Sequence, residues 1–285
     1  RRLNCYYYRW KLIREILDLE DQGMKISVLA SGSTGNATYI ETPKSKVLVD
    51  AGLSGKKIEE LMNSIGRTLK DVDSLLVTHE HSDHIKGVGV LARRYGMNIY
   101  ANQGTWDAMS AKIGKVPLEQ KHIFDMGKTL SIGDVDIESF GVSHDAAEPQ
   151  FYELHHGKSS FAIVTDTGYV PDSVAGVINN AEAYLFECNH DTEMLRMGPY
   201  SWSLKQRIMS DTGHLSNDDG AAALMDVLGN NTKKIFLGHL SQENNVKALA
   251  HVTVEDIMKE HDLAVGHDFE ICDTDPKQAT PLIQL

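Results

Sequence analysis

The chain has 285 residues, of which 41% are hydrophobic, and its 28 basic and 40 acidic residues give a formal net charge of −12 at pH 7. This length suffices for one large hydrophobic core or two modest ones. The acidic balance argues against a protein that coats nucleic acid nonspecifically, although bound divalent metals and local basic residues still permit a nuclease. No apolar run approaches the roughly 20 residues that cross a bilayer, so we expect no membrane partner.

The cysteines indicate a cellular compartment. Cys5, Cys188 and Cys272 are few, odd in number and scattered along the chain. This usage is typical of a reducing cytosol rather than of a disulfide scaffold, and we therefore expect a cytoplasmic protein. The composition does not fix the oligomeric state.

The first 23 residues differ in character from the rest. They are rich in Tyr, Arg and acidic residues and have no apolar segment of the secretory type. We interpret residues 1–23 as an N-terminal extension, an expression remnant or the result of a mis-set start site. An amphipathic helix over residues 8–19 that packs on the domain is the alternative.

From Met24 onward, short strands alternate with short helices. Apolar runs bounded by turn residues predict strands at 25–29, 47–49, 74–78, 129–142 (two paired strands), 151–154, 160–164, 183–186, 234–237 and 269–272. Helical spacing predicts helices over 58–65, 85–95, 218–228 and 254–261. With no low-complexity linker and no repeat, residues 24–285 are predicted to form a single domain of mixed α and β structure.

The sequence HEHSDH at residues 79–84 directly follows the predicted strand 74–78. In extended chain, residues two apart face the same way, so His79 and His81 can face one point. Asp83 and His84 follow at a helix start and can face a second point beside the first. Neutral imidazole suits zinc, iron and similar metals, and carboxylate adds charge and bridging capacity. A solvated polar loop is the ordinary alternative, and three histidines at this spacing disfavour it.

Three further polar residues stand just beyond predicted strands. His144, Asp166 and His239 each follow a buried apolar run, where a rigid framework can aim a side chain. Taken singly, each is more easily explained as an ordinary loop residue. Together with the HEHSDH cluster they bring the candidate ligands to seven, which is enough for two metal coordination spheres.

The chain resembles the metallo-β-lactamase-fold hydrolases, because it matches all four positions of their His-x-His-x-Asp-His signature. The resemblance extends over essentially everything after Met24. It implies an α/β fold with a four-layer αβ/βα sandwich and two divalent metal ions, Zn or Mn, with Fe as a further candidate. It implies a first metal held by His79, His81 and His144, a second held by Asp83, His84 and His239, a bridging Asp166, and Asp50 fixing the cluster loop by hydrogen bonds.

The turn after the first strand narrows the resemblance to the YycJ/WalJ group and its phosphodiesterase relatives. Gly32 and Gly35 allow backbone amides to approach an anion, and Ser33 and Asn36 can donate further hydrogen bonds. We therefore expect Ser33, Gly35 and Asn36 to contact a substrate phosphate. An ordinary tight turn is the default explanation.

A duplicated tetrad, GHLS at 213–216 and again at 238–241, resembles the paired late histidines of the nuclease branches. His239 would be the ligand, whereas His214 would remain unligated and be aimed at a phosphoryl oxygen or at the leaving group, as a catalytic residue. A loop position before a helix is the alternative for His214. For His190, Tyr200 and Trp202, structural packing is favoured over substrate contact.

These patterns predict a dinuclear-metal-dependent hydrolase of phosphodiester bonds, with Asp83, Asp166 and His214 as catalytic residues. The YycJ/WalJ resemblance implies a 5′-to-3′ exonuclease with a nucleic acid substrate, DNA before RNA. A small-molecule hydrolase of the same fold, acting on a cyclic nucleotide, a thioester or a lactone, is the alternative. A non-catalytic metal-binding regulator is disfavoured because the full set of ligand types is present.

Overall fold

The computed structural model describes residues 23–285, which form two seven-stranded β-sheets with helices on their outer faces. Apart from Gly23, the predicted N-terminal extension lies outside the described residues. Within the described range, no helix has the length and apolar character needed to span a bilayer.

The first sheet comes mainly from the N-terminal half of the chain. Its strands are β1 (Lys25–Ala30), β2 (Ala37–Glu41), β3 (Lys46–Val49), β4 (Ser74–Leu76), β5 (Asn98–Ala101), β6 (Lys121–Ile123) and β14 (Ile283–Gln284). They lie in the order β14-β1-β2-β3-β4-β5-β6. β1, β2 and β3 pair antiparallel, whereas β3 to β6 run parallel. β3 and β4 therefore end at the same edge of the sheet.

The second sheet comes from the C-terminal half. Its strands are β7 (Thr129–Ile132), β8 (Val135–Gly141), β9 (Gln150–His156), β10 (Ser159–Val164), β11 (Ala183–Glu187), β12 (Lys234–Gly238) and β13 (Glu270–Asp273). β7 to β10 form an antiparallel meander, and β10 to β13 run parallel. In consequence β8, β10, β11 and β12 all end at one edge.

Nine helices are described. They are α1 (Gly55–Ser64), α2 (Ser82–Ile85), α3 (Val88–Tyr95), α4 (Gln103–Ile113), α5 (Asp172–Val177), α6 (Thr192–Met197), α7 (Trp202–Ile208), α8 (Asn217–Val227) and α9 (Lys247–Glu260). Helices α1, α3 and α4 belong to the first half, and α5, α8 and α9 contact strands of the second sheet or one another.

Two apolar cores hold these layers together. Ile26 of β1 and Phe151 of β9 belong to a core shared by the two sheets and the C-terminal helices. Tyr39 of β2 belongs to a second core, where Ile58 of α1 and Leu91 of α3 cover the first sheet. Because each sheet is buried on both faces, the arrangement is helix, sheet, sheet, helix. The predicted four-layer α/β sandwich is confirmed.

Local differences from the predicted elements have simple causes. Helix α9 begins at Lys247, whereas the predicted helix began at 254. The prediction missed the first two turns because they carry no clear apolar stripe. The strand predicted at 269–272 is not the last one, since β14 follows it and pairs with β1. A two-residue strand is too short to show the alternation by which strands are predicted.

Candidate metal centre

The polar residues singled out in the sequence collect at one edge of the two sheets. In the first sheet, Asp50 follows β3 and the HEHSDH segment, residues 79–84, follows β4. In the second sheet, His144 comes after β8, Asp166 after β10 and His239 after β12. The shared strand direction therefore brings residues far apart in sequence to a common place.

The HEHSDH segment runs from the loop after β4 into α2. His79 and His84 are fully buried, and their ring centroids lie 4.1 Å apart. The ring of His81 lies 4.7 Å from that of His79 and is partly exposed. His81 and Asp83 both line a cleft that opens to solvent.

Asp50 holds this segment from behind. Its Oδ1 accepts a hydrogen bond from the Thr78 backbone amide at 2.9 Å, and its Oδ2 accepts one from the Thr78 hydroxyl at 2.8 Å. The same Oδ2 accepts a hydrogen bond from Nδ1 of His84 at 2.7 Å. With Nδ1 engaged, Nε2 is the nitrogen of His84 left for a ligand bond, which is how metal-binding histidines are commonly oriented.

The two halves of the centre meet at short distances. Nε2 of His144 lies 3.2 Å from Nδ1 of His81, which joins the second sheet to the first. Nε2 of His84 is 3.3 Å from Oδ2 of Asp166. Nε2 of His239 is 3.3 Å from Oδ1 of Asp166. The Asp166 carboxylate thus stands between the two groups of imidazoles.

The seven predicted ligands form two compact groups. Within each group, one ligand-type atom per residue lies within 4.8 Å of the others, and the groups are His79, His81, His144 and Asp83, His84, Asp166, His239. Two of these buried polar atoms, His79 Nε2 and Asp166 Oδ2, have no hydrogen-bond partner. Since orphaned buried polar atoms are costly, their presence here fits residues built to hold cations.

The electrostatics of the second group also favour a cation. Burial lowers the pKa of His239, but the carboxylates of Asp166, Asp83 and Glu187 outweigh it and raise the pKa to about 10. Burial would raise the pKa of Asp83, yet the neighbouring His84 and His239 hold it well below its ordinary value. A place that stabilises an imidazolium in this way also stabilises a bound metal ion.

Three of these residues have an unusual backbone. Asp50, Asp166 and His239 adopt φ values of 60°, 51° and 55°, in the left-handed region that non-glycine residues seldom occupy. Each is the first or second residue after its strand. Such strain persists where the surrounding structure fixes the conformation, and here it turns three side chains toward one point.

Glu187, the last residue of β11, is a member of the centre that the sequence analysis missed. Its buried carboxylate accepts hydrogen bonds through Oε2 from the amides of Thr167 at 2.9 Å and Leu215 at 3.3 Å. Its Oε1 accepts from Nδ1 of His214 at 2.8 Å and from Nδ1 of His239 at 3.0 Å. Its place at the end of a predicted strand, on the same edge as Asp166, was the available signal.

His214 lies beside the second group and lines the cleft. Burial lowers its pKa, but the charge and hydrogen bond of Glu187 outweigh burial and raise it. One nitrogen of His214 also lies within 4.8 Å of ligand atoms of Asp166, Glu187 and His239, so its position is compatible either with proton donation or with metal binding.

Of the three residues predicted to contact phosphate, Ser33 is exposed, whereas Gly35 and Asn36 are buried. Ser33 lines the cleft. The side-chain amide of Asn36 points inward and donates to the Asp83 backbone carbonyl at 3.3 Å and to the Gly32 carbonyl at 3.1 Å. Gly35 packs against Leu53, where a Cβ would collide with the leucine side chain. Asn36 therefore supports the HEHSDH segment from within.

The cleft above the centre has a volume of about 260 Å³. Tyr200 lines it, whereas Trp202 is 64% exposed and stands outside it. His190 is buried, pairs with Ser216 through a backbone bridge and does not line the cleft. The packing role favoured for His190 agrees with this position.

Comparison with known proteins gives consistent similarities. Residues 45–240 match the family described as the beta-lactamase superfamily domain. The exodeoxyribonuclease WalJ of Streptococcus pneumoniae serotype 2 is 60% identical over 269 residues, which are 94% of this chain and 100% of that protein. The exodeoxyribonuclease YycJ of Bacillus anthracis is 55% identical over 260 residues, 91% of this chain and 98% of that protein.

Among solved structures, the metallo-β-lactamase fold protein YhfI from Bacillus subtilis superimposes with a TM-score of 0.67. The alignment covers 90% of this chain and 99% of YhfI at 17% sequence identity. At that identity the similarity concerns the fold.

Proposed function

The chain belongs to the β-lactamase superfamily and, within it, to the WalJ/YycJ exodeoxyribonuclease family, and we propose that it hydrolyses the phosphodiester bonds of DNA as a metal-dependent exonuclease. The family membership supports a metal-dependent hydrolase of the nuclease type. The two groups of ligand residues, with buried atoms left unpaired, support the dinuclear site most directly. We further propose that digestion runs from the 5′ end and that the protein acts in the cytoplasm.

We assign the ligands by group. The first metal would be held by His79, His81 and His144, the second by Asp83, His84 and His239, with Asp166 between them. When bound, two divalent cations lower the pKa of water and neutralise charge on phosphate oxygens. The imidazole-rich first group favours zinc, whereas the carboxylates of the second group also suit manganese, with iron as a further candidate.

The chain's own residues supply the remaining chemistry. The carboxylates of Asp83 and Asp166 accept hydrogen bonds from the attacking water and so orient it toward phosphorus. His214, whose pKa is raised by the charge and hydrogen bond of Glu187, donates its proton to the leaving alkoxide. Since Nδ1 of His214 is bonded to Glu187, Nε2 is the ring nitrogen left for that transfer. Ser33, at the rim of the cleft, is placed to donate to a phosphate oxygen.

A substrate panel on metal-defined protein tests this function. The panel contains 5′-labelled single-stranded and duplex DNA, RNA, an aryl phosphodiester, a cyclic nucleotide and a thioester, each with Zn²⁺ or Mn²⁺. We expect DNA to be the preferred polymer and the 5′ label to appear first as mononucleotide. Preference for the thioester or cyclic nucleotide would instead establish a small-molecule hydrolase.

The His81→Ala variant is the control, because it removes a predicted ligand from the rim of the cleft. We expect it to lose metal and all hydrolysis. Unchanged activity in this variant would overturn the assignment of the centre.

A further inference from the structure

A second cleft opens from the same edge of the molecule and is continuous with the first. Ser33, His81, Asp83 and Arg207 line both clefts. The second is larger, about 950 Å³ against about 260 Å³. A substrate at the metal centre therefore has direct access to it.

The charge of the second cleft is opposite to that of the whole chain. Its lining includes Lys86, Lys112 and Arg207, against one acidic lining residue, Asp83, a proposed metal ligand. Asp145, which lines the first cleft, pairs with Arg207. The chain as a whole carries a formal net charge of −12. A local excess of cations next to a phosphodiester-cleaving centre attracts a polyanion rather than a neutral molecule.

Lys86 and Lys112 both lie beside the HEHSDH segment. Lys112, near the end of α4, donates from Nζ to the backbone carbonyl of Glu80 at 3.2 Å, within the HEHSDH segment. An ammonium has three donors, so two remain for a ligand. Lys86 directly follows α2 and is exposed.

Arg207 of α7 stands where the two clefts meet. Its Nε donates to Oδ2 of Asp145 at 2.5 Å. Oδ1 of that carboxylate lies 3.6 Å from Nε2 of His144, so Asp145 ties the guanidinium to the metal centre. The guanidinium is exposed and has five donors, which leaves several for phosphate oxygens.

We propose that the second cleft is the binding path for the DNA strand beyond the scissile bond, with Lys86, Lys112 and Arg207 holding successive backbone phosphates. The proposal rests on the proposed function. It makes a single strand several nucleotides long a better substrate than a dinucleotide. The exposed hydroxyls of Ser33 and Thr34 form part of the same lining and add neutral donors.

The test compares oligothymidylates of 2, 4, 8 and 16 nucleotides with an aryl phosphodiester. For the native protein, we expect kcat/KM to rise with length and then level off once the cleft is filled. In Lys86→Glu/Lys112→Glu we expect the 16-nucleotide substrate to lose about tenfold more activity than the aryl phosphodiester. Because each phosphate contact on a single strand contributes about 0.7 to the salt dependence of binding, the slope should fall by about 1.4.

The matched control is Lys44→Glu/Lys158→Glu, which changes the net charge equally. These lysines lie in the β2–β3 and β9–β10 turns, at the edge opposite to the metal centre. This control should keep the native length dependence and salt slope. Metal content and thermal unfolding of both variants confirm that folding is unchanged.

If the cleft variant behaves like the control in both readouts, the binding path is wrong while the proposed function stands. If the native metal-loaded protein hydrolyses neither oligonucleotides nor the aryl phosphodiester, the proposed function itself fails.

Discussion

The two sheets build one centre in two different ways. The first sheet supplies four candidate ligands from the six residues 79–84, which run from the loop after β4 into α2. The second sheet supplies His144, Asp166 and His239 from the ends of three strands, across 95 residues (239 − 144). A contiguous cluster is visible in any sequence, whereas a dispersed one becomes a site only when strand direction brings its members together.

Both halves use a buried carboxylate to hold their histidines, but the two carboxylates accept hydrogen bonds from different numbers of imidazoles. Asp50 fixes one imidazole, that of His84, and two groups of Thr78. Glu187 fixes two imidazoles, those of His214 and His239, together with two backbone amides. The C-terminal half therefore depends more on a single residue.

The largest effect is expected from removing a ligand of the contiguous half. His79→Ala should lose metal from the first group and abolish hydrolysis, because it removes the buried, unpaired Nε2 that would bind the metal. Metal analysis after dialysis and a DNA digestion assay measure both. His267→Ala, at a highly exposed histidine, is the matched control. Full activity of the His79 variant would show that the first group does not form a metal site.

The next effect compares the two supporting carboxylates. Glu187→Gln should lower kcat by about 10²-fold, because it weakens the orientation of two imidazoles. Asp50→Asn should lower it by about 10-fold, since it affects one. Parallel kcat and metal-affinity measurements decide the order. Equal losses would mean that the two carboxylates carry the same load.

A variant of His214 tests whether this residue of the second sheet binds metal or donates a proton. His214→Ala should keep both metals and slow DNA cleavage by about 10²-fold. An aryl phosphodiester with a nitrophenolate leaving group needs no proton, so its hydrolysis should fall far less. Loss of a metal ion from this variant would identify His214 as a ligand.

The smallest effect concerns two buried glutamates outside the centre. In the first sheet, burial raises the pKa of Glu41, but bonds from Arg67 and Tyr39 outweigh this and hold it below its ordinary value. In the second sheet, Glu153 lies directly opposite Glu138 across β8 and β9. Burial and the charge of Glu138 raise the pKa of Glu153 to about 7.

The signs of the two contributions are opposite. A raised carboxyl pKa makes the folded state least stable above that pKa, so Glu153→Gln should increase the free energy of unfolding by about 2 kcal/mol at pH 8. It should also flatten the decline in stability between pH 4.5 and about 7. Glu41→Gln should destabilise at the same pH by about 1 kcal/mol. Urea unfolding of both variants at pH 5 and pH 8 measures this, and a destabilised Glu153→Gln at pH 8 would contradict it.

Continuous apolar runs in the sequence predicted most strands, because a strand buried on both faces of its sheet carries such a run. The four-layer fold was implied by the resemblance to the metallo-β-lactamase-fold hydrolases. The sequence also predicted which polar residues follow those strands, including His144 and His239. The hydrogen bonds that Glu187 accepts were not predictable, since their donors lie 27 and 52 positions away and come close only through the strand order. For the same reason, spacing alone did not reveal that the side chain of Asn36 turns inward.

One oxygen atom, Oε1 of Glu187, accepts hydrogen bonds from both His214 and His239. The proposed acid and the proposed ligand are thus not separate parts. A change in either ring alters the charge at the other, so the losses of activity from removing His214 and from removing His239 should not be additive. A variant that lacks both side chains should be scarcely less active than the variant that lacks the more important one.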